Sequence, residues 1–250
     1  MTKISFDIQR VQARLLEMAK KIASVLEEND IPYEIAFGTL LGAVRHGGFI
    51  PWDDDFDFFL FDDSYEQAME VLSKNLPADM FLENERSEPK YFHDWAHVKD
   101  MDSKCTCLHY PHDELYSHHG ISVDLYKIKR IKEHDFAKFR YEKAVTYIER
   151  RKKLGFITEE DFQKRKAAYN ERFKKDSNKS DRDILAYPFD IGIQYPEDVF
   201  PQKRYKIGDY EFWGPQNPDH ILRMRYGDYM KLPPEGERIP HYDTVIFLNG

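Results

Sequence analysis

Cysteine is scarce in this sequence, and long apolar runs are missing from it. Only two of its 250 residues are cysteines, in the pattern Cys105-x-Cys107, which excludes the disulfide framework typical of small secreted domains. No apolar run approaches the ~20 residues that a membrane-spanning helix needs. The charged N-terminus lacks the apolar core of a signal peptide. We therefore expect a cytoplasmic protein.

An excess of basic charge is also missing. The chain holds 37 Lys and Arg against 45 Asp and Glu, a net charge of -8, which argues against a nucleic-acid-binding protein. Residues 138–175 are the exception, with 13 basic and 6 acidic residues. Solvated helical faces are the simpler interpretation. The alternative is a peripheral surface for an anionic polymer or the inner membrane face.

The residues that are present suit one folded domain. With 41% hydrophobic and 15% aromatic residues, the chain can bury a large core. We expect a single domain over 1–250, with a charged helical segment at 131–183. No pattern predicts an oligomeric state.

Apolar spacing and turn residues predict both helices and strands, in an α+β protein. Helices are predicted at 4–28, 40–45, 64–72, 135–153, 159–175 and 218–226. Strands are predicted at 33–37, 55–61, 80–83, 95–99 and 121–128. The rest of 184–250, rich in Pro, Tyr and Gly, is predicted to be irregular.

The most informative segment is 38–57, which begins with a Gly-Thr turn after an apolar strand and ends in Asp-Asp-Asp-Phe-Asp. On a strand, Asp55 and Asp57 point the same way, about 7 Å apart, while Phe56 and Phe58 face the core. Two such carboxylates repel each other and favour a hard cation such as Mg²⁺. An exposed acidic loop is the alternative. We predict only local roles for Asp53 and Asp54.

A zinc site is a second metal hypothesis. His109 and His112 follow the two cysteines closely, but zinc fingers usually separate their cysteines by two to four residues, and here the separation is one. Structural zinc is therefore the less favoured alternative.

The order of strand, Gly-Thr turn, helix, acidic strand and a later strand carrying Asp124 resembles the nucleotidyltransferase superfold. The string 38–57 resembles the LicD family, which includes phosphorylcholine transferases of bacterial surface glycans. Segments 97–100, 120–125 and 226–241 extend this resemblance over most of the chain. It implies a mixed sheet with flanking helices, a catalytic core at about 30–130 and a substrate-binding part at 184–250. Fukutin and fukutin-related protein, which transfer ribitol phosphate, are more distant members.

The resemblance implies a magnesium-dependent phosphotransferase, with manganese as a possible substitute. Its donor would be CDP-choline or another CDP-alcohol, and CMP would leave. The acceptor would be a hydroxyl of a teichoic acid, a capsule, a lipopolysaccharide or a lipid-linked oligosaccharide. Two alternatives stay open: a nucleotidyltransferase that releases pyrophosphate from a nucleoside triphosphate, and an inactive glycan- or nucleotide-binding module.

The resemblance also implies roles for individual residues. Asp55 and Asp57 would hold the metal at the donor diphosphate, and Asp124 would be a general base or a further metal ligand. Substrate-binding roles are predicted for Gly38, Thr39, Arg45, Lys99, Tyr226, Asp228, Arg238 and His241. Surface salt bridges for Arg45 and Lys99, and a structural hydrogen bond for His241, are the alternatives. Aromatic faces would bind a choline cation, with Tyr226, Tyr229 and Trp213 as candidates.

Overall fold

The computed structural model describes residues 6–107, 115–174, 180–190 and 192–249. His109 and His112 of the zinc hypothesis lie outside these ranges. The helices are α1 (Ile8–Glu28), α2 (Phe37–His46), α3 (Asp62–Asn75), α4 (Phe136–Lys153), α5 (Glu159–Lys174), α6 (Pro196–Val199) and α7 (Pro218–Tyr226). The strands are β1 (Tyr33–Ile35), β2 (Phe56–Phe61), β3 (Met80–Glu83), β4 (Ala96–Asp100), β5 (Ser103–Thr106), β6 (Ser122–Lys132), β7 (Asp183–Ala186), β8 (Ile193–Gln194), β9 (Lys203–Ile207), β10 (Tyr210–Gly214) and β11 (Thr244–Phe247).

A mixed sheet of seven strands organises the fold. Its order is β1-β2-β6-β4-β3, and the second half of the long strand β6 pairs with β7, which pairs with β8. Strands β2 and β6 are parallel, whereas the other neighbouring strands are antiparallel. The α+β class is confirmed. Strands β2 and β6 lie at the centre of the sheet. Because they are parallel, the first residues of both strands lie at the same edge of the sheet.

Helix α1 supplies much of the core because its apolar residues recur at helical spacing. Val11, Leu15, Met18 and Ile22 are fully buried, and Asp7 caps the helix by accepting from the backbone amides of residues 9 and 10. The main apolar cluster extends from this helix through β2 and β6 to β11. The N-terminal and C-terminal segments therefore share one core.

The charged segment forms two helices, α4 and α5, that pack on each other. Part of its basic charge is used within the chain. Lys143 lies 3.0 Å from Asp94, and Arg150 lies 3.0 Å from Glu85. No helix in the described part of the chain is long and apolar enough to span a membrane. Contact of this segment with a membrane surface stays a prediction.

Most predicted elements exist, with shifted ends. The helix predicted at 40–45 is longer and starts at Phe37, which shortens β1, and it ends where Gly47 adopts a left-handed φ of 68°. Strand β2 begins at Phe56, so Asp55 belongs to the preceding loop and not to the strand. Strand β6 extends to Lys132. The chain from 183 onwards is less irregular than predicted, because its described residues form the five strands β7 to β11.

The last of these strands returns the chain to its first half. β11 pairs antiparallel with β5, with Val245 opposite Cys105. The Cys105 thiol donates to the carbonyl of His119 and the Cys107 thiol to the carbonyl of His241. Burial raises the pKa of Cys105 to about 12, so it stays a thiol at neutral pH. The segment before β11, which contains His241, is thereby held near the loop that precedes β2.

Candidate active site

Two of the predicted catalytic carboxylates lie side by side on parallel strands. Asp57 of β2 and Asp124 of β6 are register partners, so their side chains emerge on the same face of the sheet. Like charges directly opposite each other are destabilising. Burial, together with the charges of Asp55 and Asp124, raises the pKa of Asp57 well above its ordinary value. The pairing concentrates negative charge at one edge.

The loop before β2 adds two more carboxylates. Asp53, Asp55 and His241 each offer a ligand atom, and these atoms lie within 4.8 Å of one another. Gly38 leaves room for the arrangement, since a Cβ there would lie 2.9 Å from Asp53 Oδ2. We call Asp53, Asp55 and Asp57 the acidic cluster. Asp53 and Asp55, at this spacing on the loop, and Asp57, which lines the same depression at the start of β2, form a suitable site for a divalent cation.

The electrostatics of the acidic cluster support that fit. Burial, with the charge of Asp55, raises the pKa of Asp53 well above its ordinary value, and burial also raises the pKa of Asp55. The Oδ1 atom of Asp55 is buried and makes no hydrogen bond within the described part of the chain. An orphaned carboxylate oxygen beside further carboxylates is expected where a metal completes the interactions.

Asp54 has a different role from its neighbours. Its Oδ1 accepts from the backbone amide of His241 at 2.8 Å, and its Oδ2 accepts from the amide of Tyr242 at 2.8 Å. Its carboxylate is fully buried. The His241 Nδ1 atom lies 3.1 Å from Asp54 and 3.3 Å from Asp55. The hydrogen bond to Asp54 raises the pKa of His241 to about 9, so the imidazole is a cation at neutral pH.

Two depressions meet at Asp55 and His241. We call the larger one, with a volume of about 650 Å³, the aromatic cleft. Its lining includes the acidic cluster, Gly38, Trp52, Trp95, Tyr126, Tyr147, Tyr187, Phe189, Arg225 and Tyr226. We call the smaller one, of about 120 Å³, the Lys99 pocket. Its lining includes Asp55, Trp95, His97, Lys99, Ser122, Asp124, Tyr126, His241 and Tyr242.

A hydrogen-bond network fixes the wall between the two depressions. The indole of Trp95 donates to His97 Nε2 at 2.9 Å. Because an indole N–H can only donate, Nε2 accepts, and the proton on Nδ1 faces Glu83 at 3.1 Å. The Tyr126 hydroxyl donates to Asp124 Oδ2 at 2.8 Å. Both rings are therefore held by their polar ends.

The start of α2 is strained where it enters the aromatic cleft. Phe37 has a φ of 44°, in the left-handed region that a bulky side chain rarely adopts, at a cost of about 1–3 kcal/mol. Its ring packs against Tyr126, with centroids 5.0 Å apart, and the Arg225 guanidinium lies 3.9 Å above it. Arg225 also pairs with Asp190. This packing holds the turn that positions Gly38.

The structure brings several predicted substrate-binding residues to the depressions. Gly38 and Tyr226 line the aromatic cleft, Lys99 lines the Lys99 pocket, and His241 lines both. Lys99 is 6% exposed, so its ammonium group is available mainly from the pocket. Thr39 lies beneath the cleft, where its buried Oγ1 accepts the Asp57 backbone amide at 2.9 Å. That bond ties α2 to β2.

Other predicted residues lie apart from both linings. The Arg45 guanidinium donates to the carbonyl of Tyr229 at 2.7 Å. Arg238 donates to the carbonyl of Pro233 and lies over the ring of Trp52. Asp228 is exposed in the turn after α7. Their contacts with substrate stay predictions.

The proposed choline-binding aromatics are also dispersed. The Tyr229 hydroxyl donates to Asp219, and Trp213 in β10 packs under the Arg204 guanidinium at 3.9 Å. Of the three candidates, only Tyr226 lines the aromatic cleft.

Sequence reasoning missed residues that the fold brings to the site. The sequence predicts only local roles for Asp53 and Asp54, although the unbroken acidic run from 53 to 55 is a usable signal. Trp95 and His97 alternate with Lys99 along the chain, a period of two that places three polar or aromatic side chains on one face. Arg225 had no local signal, because α7 reaches the cleft only through tertiary packing.

Comparison with known proteins agrees with this geometry. Residues 30–141 match the family described as LicD/FKTN/FKRP, nucleotidyltransferase domain. The chain is 27% identical over 253 residues to the lipopolysaccharide cholinephosphotransferase LicD of Haemophilus influenzae, which covers 90% of this chain and 92% of that protein.

Two other relatives match shorter regions. The chain is 29% identical over 137 residues to the uncharacterized protein RP689 of Rickettsia prowazekii, 47% of this chain and 46% of that protein. It is 45% identical over 47 residues to the ribitol 5-phosphate transferase FKRP of Homo sapiens, 19% of this chain and 10% of that protein.

Proposed function

Because this chain belongs to the LicD family and is a transferase of LicD type, we propose that it moves a phospho-alcohol from a CDP-alcohol to a glycan hydroxyl. The donor that best fits the relative from Haemophilus influenzae, a cholinephosphotransferase, is CDP-choline. The proposed acceptor is a hydroxyl of a surface polysaccharide or of its lipid-linked precursor. We propose that this reaction takes place in the cytoplasm.

The observation that carries the proposal is that Asp55, a member of the acidic cluster, lines both depressions. Displacement at phosphorus needs the attacking oxygen and the leaving oxygen on opposite sides. The aromatic cleft, at about 650 Å³, has room for a nucleoside diphosphate donor. The Lys99 pocket shares Asp55 with the cleft and contains Asp124. We therefore assign the donor to the cleft and the acceptor hydroxyl to the pocket.

Asp55 and Asp57, with Asp53 beside them, are the proposed ligands of a divalent cation, Mg²⁺ or Mn²⁺. When bound, that cation neutralises the charge of the donor diphosphate. His241, cationic at neutral pH, adds positive charge at the same edge. Lys99 is suited to a phosphate oxygen, as a point charge.

Asp124 is the proposed base. It takes the proton of the acceptor hydroxyl as the acceptor oxygen bonds to the phosphorus that carries the alcohol. The bond from that phosphorus to the bridging oxygen breaks, and CMP leaves with the electron pair. Tyr126 orients the Asp124 carboxylate through its hydrogen bond of 2.8 Å. Asp124 as a further metal ligand is the competing assignment for this residue.

The test is product analysis with Mg²⁺ and CDP-choline, CDP-ethanolamine, CDP-glycerol, CDP-ribitol, CTP or ATP. We expect release of CMP from a CDP-alcohol, and loss of that release in Asp55→Asn. Pyrophosphate release from CTP or ATP would instead indicate a nucleotidyltransferase. Tight binding of donor with no turnover in the presence of glycan acceptors would indicate an inactive binding module.

A further inference from the structure

Four rings in the aromatic cleft form a closed set of contacts that phosphate chemistry does not require. Ring centroids are 5.4 Å apart for Trp95 and Tyr126, and 5.0 Å apart for Tyr126 and Tyr187. They are 5.7 Å apart for Tyr187 and Phe189, and 6.4 Å apart for Phe189 and Trp95. We call these residues the aromatic quartet. Each of them also lines the cleft that contains the acidic cluster.

The quartet presents ring surface to the cleft, because the polar atoms of two members are already used. The Trp95 indole nitrogen donates to His97, and the Tyr126 hydroxyl donates to Asp124, both on the side of the Lys99 pocket. A polyol chain needs hydrogen-bond partners for each of its hydroxyl groups. Trp95, Tyr126 and the phenyl ring of Phe189 offer it few, but they offer flat π faces in a fixed position.

The cleft also favours a cation at these faces. The ring of Phe37, next to the quartet, already carries the Arg225 guanidinium at 3.9 Å. No lysine or arginine of the described part of the chain stacks on Trp95 or Phe189. Phe189 is 37% exposed and lines the same cleft as the acidic cluster. Aromatic faces near negative charge are the surroundings that attract quaternary ammonium groups.

We propose that the aromatic quartet binds the quaternary ammonium group of the donor and so selects a choline-type alcohol over glycerol and ribitol. This inference rests on the proposed function, since it places the alcohol of the CDP-alcohol beside the acidic cluster. The donor diphosphate then lies at Asp55 and Asp57, and the trimethylammonium group lies against Trp95 and Phe189. The alcohol is recognised by charge and shape.

The test is calorimetric binding in Mg²⁺ with four probes: CDP-choline, CDP-glycerol, phosphocholine and CMP. We expect the wild type to bind CDP-choline at least about 10-fold more tightly than CDP-glycerol. In Phe189→Leu, which keeps apolar volume and removes the π face, affinity for CDP-choline and phosphocholine falls about 3- to 10-fold. Affinity for CMP and CDP-glycerol stays within about 2-fold.

Two further variants control for folding. Phe81→Leu makes the same chemical change in β3, at a ring that lies against His118 outside the cleft, and should bind all four probes as the wild type does. Phe189→Tyr keeps the π face and should keep the preference for choline. Thermal unfolding of each variant establishes that it is folded before binding is compared.

Different results would overturn different statements. Equal loss of CMP and CDP-choline affinity in Phe189→Leu would mean that the rings stack on the base, against the inference. Equal affinity of the wild type for CDP-choline and CDP-glycerol would also contradict it. Both results leave the proposed function intact. Absence of wild-type binding to every CDP-alcohol would instead overturn the proposed function itself.

Discussion

Carboxylates in two regions of this molecule face the same electrostatic problem and have different neighbours. Around α1, Asp100 lies 2.8 Å from the Arg14 guanidinium and Glu27 lies 2.7 Å from that of Arg204. Burial opposes ionisation of Glu27, but the hydrogen bonds from Arg204 and Tyr33 outweigh it and lower the pKa. In the acidic cluster, the carboxylates face mainly one another, and their pKa values are raised.

The difference in neighbours distinguishes carboxylates that stabilise the fold from carboxylates that are proposed to bind a metal and substrate. A carboxylate with an arginine partner is neutralised within the chain and holds two segments together. The acidic cluster lowers the stability of the metal-free protein, because its charges repel in a region of low dielectric. Ionisable groups whose burial and mutual repulsion lower stability in this way cluster at functional sites. The acidic cluster is therefore the place where we propose that an external cation and an anionic substrate bind.

Asp57→Asn should have the largest effect. It keeps the shape of the side chain and removes a negative charge at the proposed metal site, so CMP release should fall by about 10²–10³-fold or more. Steady-state rates with the preferred CDP-alcohol measure it. Asp62→Asn, at the start of α3 where Asp62 lies 2.8 Å from Lys127, is the matched control. A similar rate for both variants would contradict the assignment of the cluster.

Arg14→Met should reduce stability most among the paired residues. It leaves the buried Asp100 carboxylate without its partner, and Asp100 Oδ2 already lacks a hydrogen bond within the described residues. We expect a loss of about 3–5 kcal/mol in the free energy of unfolding by urea. Lys20 lies on the same helix as Arg14 and forms a solvent-exposed ion pair with Asp209. Lys20→Met should lower the free energy of unfolding by at most about 1 kcal/mol. Equal losses would contradict the distinction.

Glu34→Gln tests a third way to bury a carboxyl group. Burial of Glu34 in β1 raises its pKa from 4.5 to about 8, and the amide of Gln194 offsets this only partly. The folded state therefore binds the proton more tightly than the unfolded state does. The stability that Glu34 contributes is full below pH 4.5 and is lost as the pH rises towards 8.

The variant should match the wild type near pH 5 and exceed it in stability by about 2–3 kcal/mol at pH 7, from ~1.4 kcal/mol per pH unit. Urea unfolding at the two pH values measures the difference. A difference that does not change with pH would show that Glu34 is ionised in the folded protein.

Mg²⁺ should produce the smallest effect on stability. It should raise the free energy of unfolding, whereas the loss of an ion pair lowers it. At about ten times its Kd, Mg²⁺ should stabilise the wild type by about 1.4 kcal/mol, seen as a rise in Tm. Asp55→Asn should be at least as stable as the wild type without Mg²⁺ and gain little from it. Na⁺ at matched ionic strength is the control for screening. An equal gain from Na⁺ would contradict a specific site.

Much of the fold and part of the site could be predicted from the sequence, because the signals are local. The apolar period of α1, the Gly-Thr turn and the acidic strand each lie within a short segment. Asp124 has a local signal only as a carboxylate inside an apolar strand, and the resemblance to the nucleotidyltransferase superfold is what predicts that it joins Asp57. The resemblance to LicD joined these segments into one family.

The site residues that the sequence did not reveal arrive through long-range contacts. In the sequence, Asp54 cannot be distinguished from its acidic neighbours. In the structure, its carboxylate accepts hydrogen bonds from the backbone amides of His241 and Tyr242, which lie 187 and 188 positions further along the chain. The aromatic quartet comes from 95, 126, 187 and 189, and most of the 37 aromatic residues pack in the core. Composition cannot distinguish a ring in a core from a ring at a cleft.

The sequence by itself determined that this protein is an α+β domain with a carboxylate site at the start of β2. Those properties follow from the periodicity of side chains along a strand and from charges close together in the chain. Only the tertiary structure decided which distant residues complete that site. Pairing of β11 with β5 returns His241 to Asp54 and Asp55, and packing of α7 brings Arg225 to Phe37. The physical reason is that burial of apolar surface drives the packing that creates both contacts. No local segment of the sequence specifies which distant surfaces will meet.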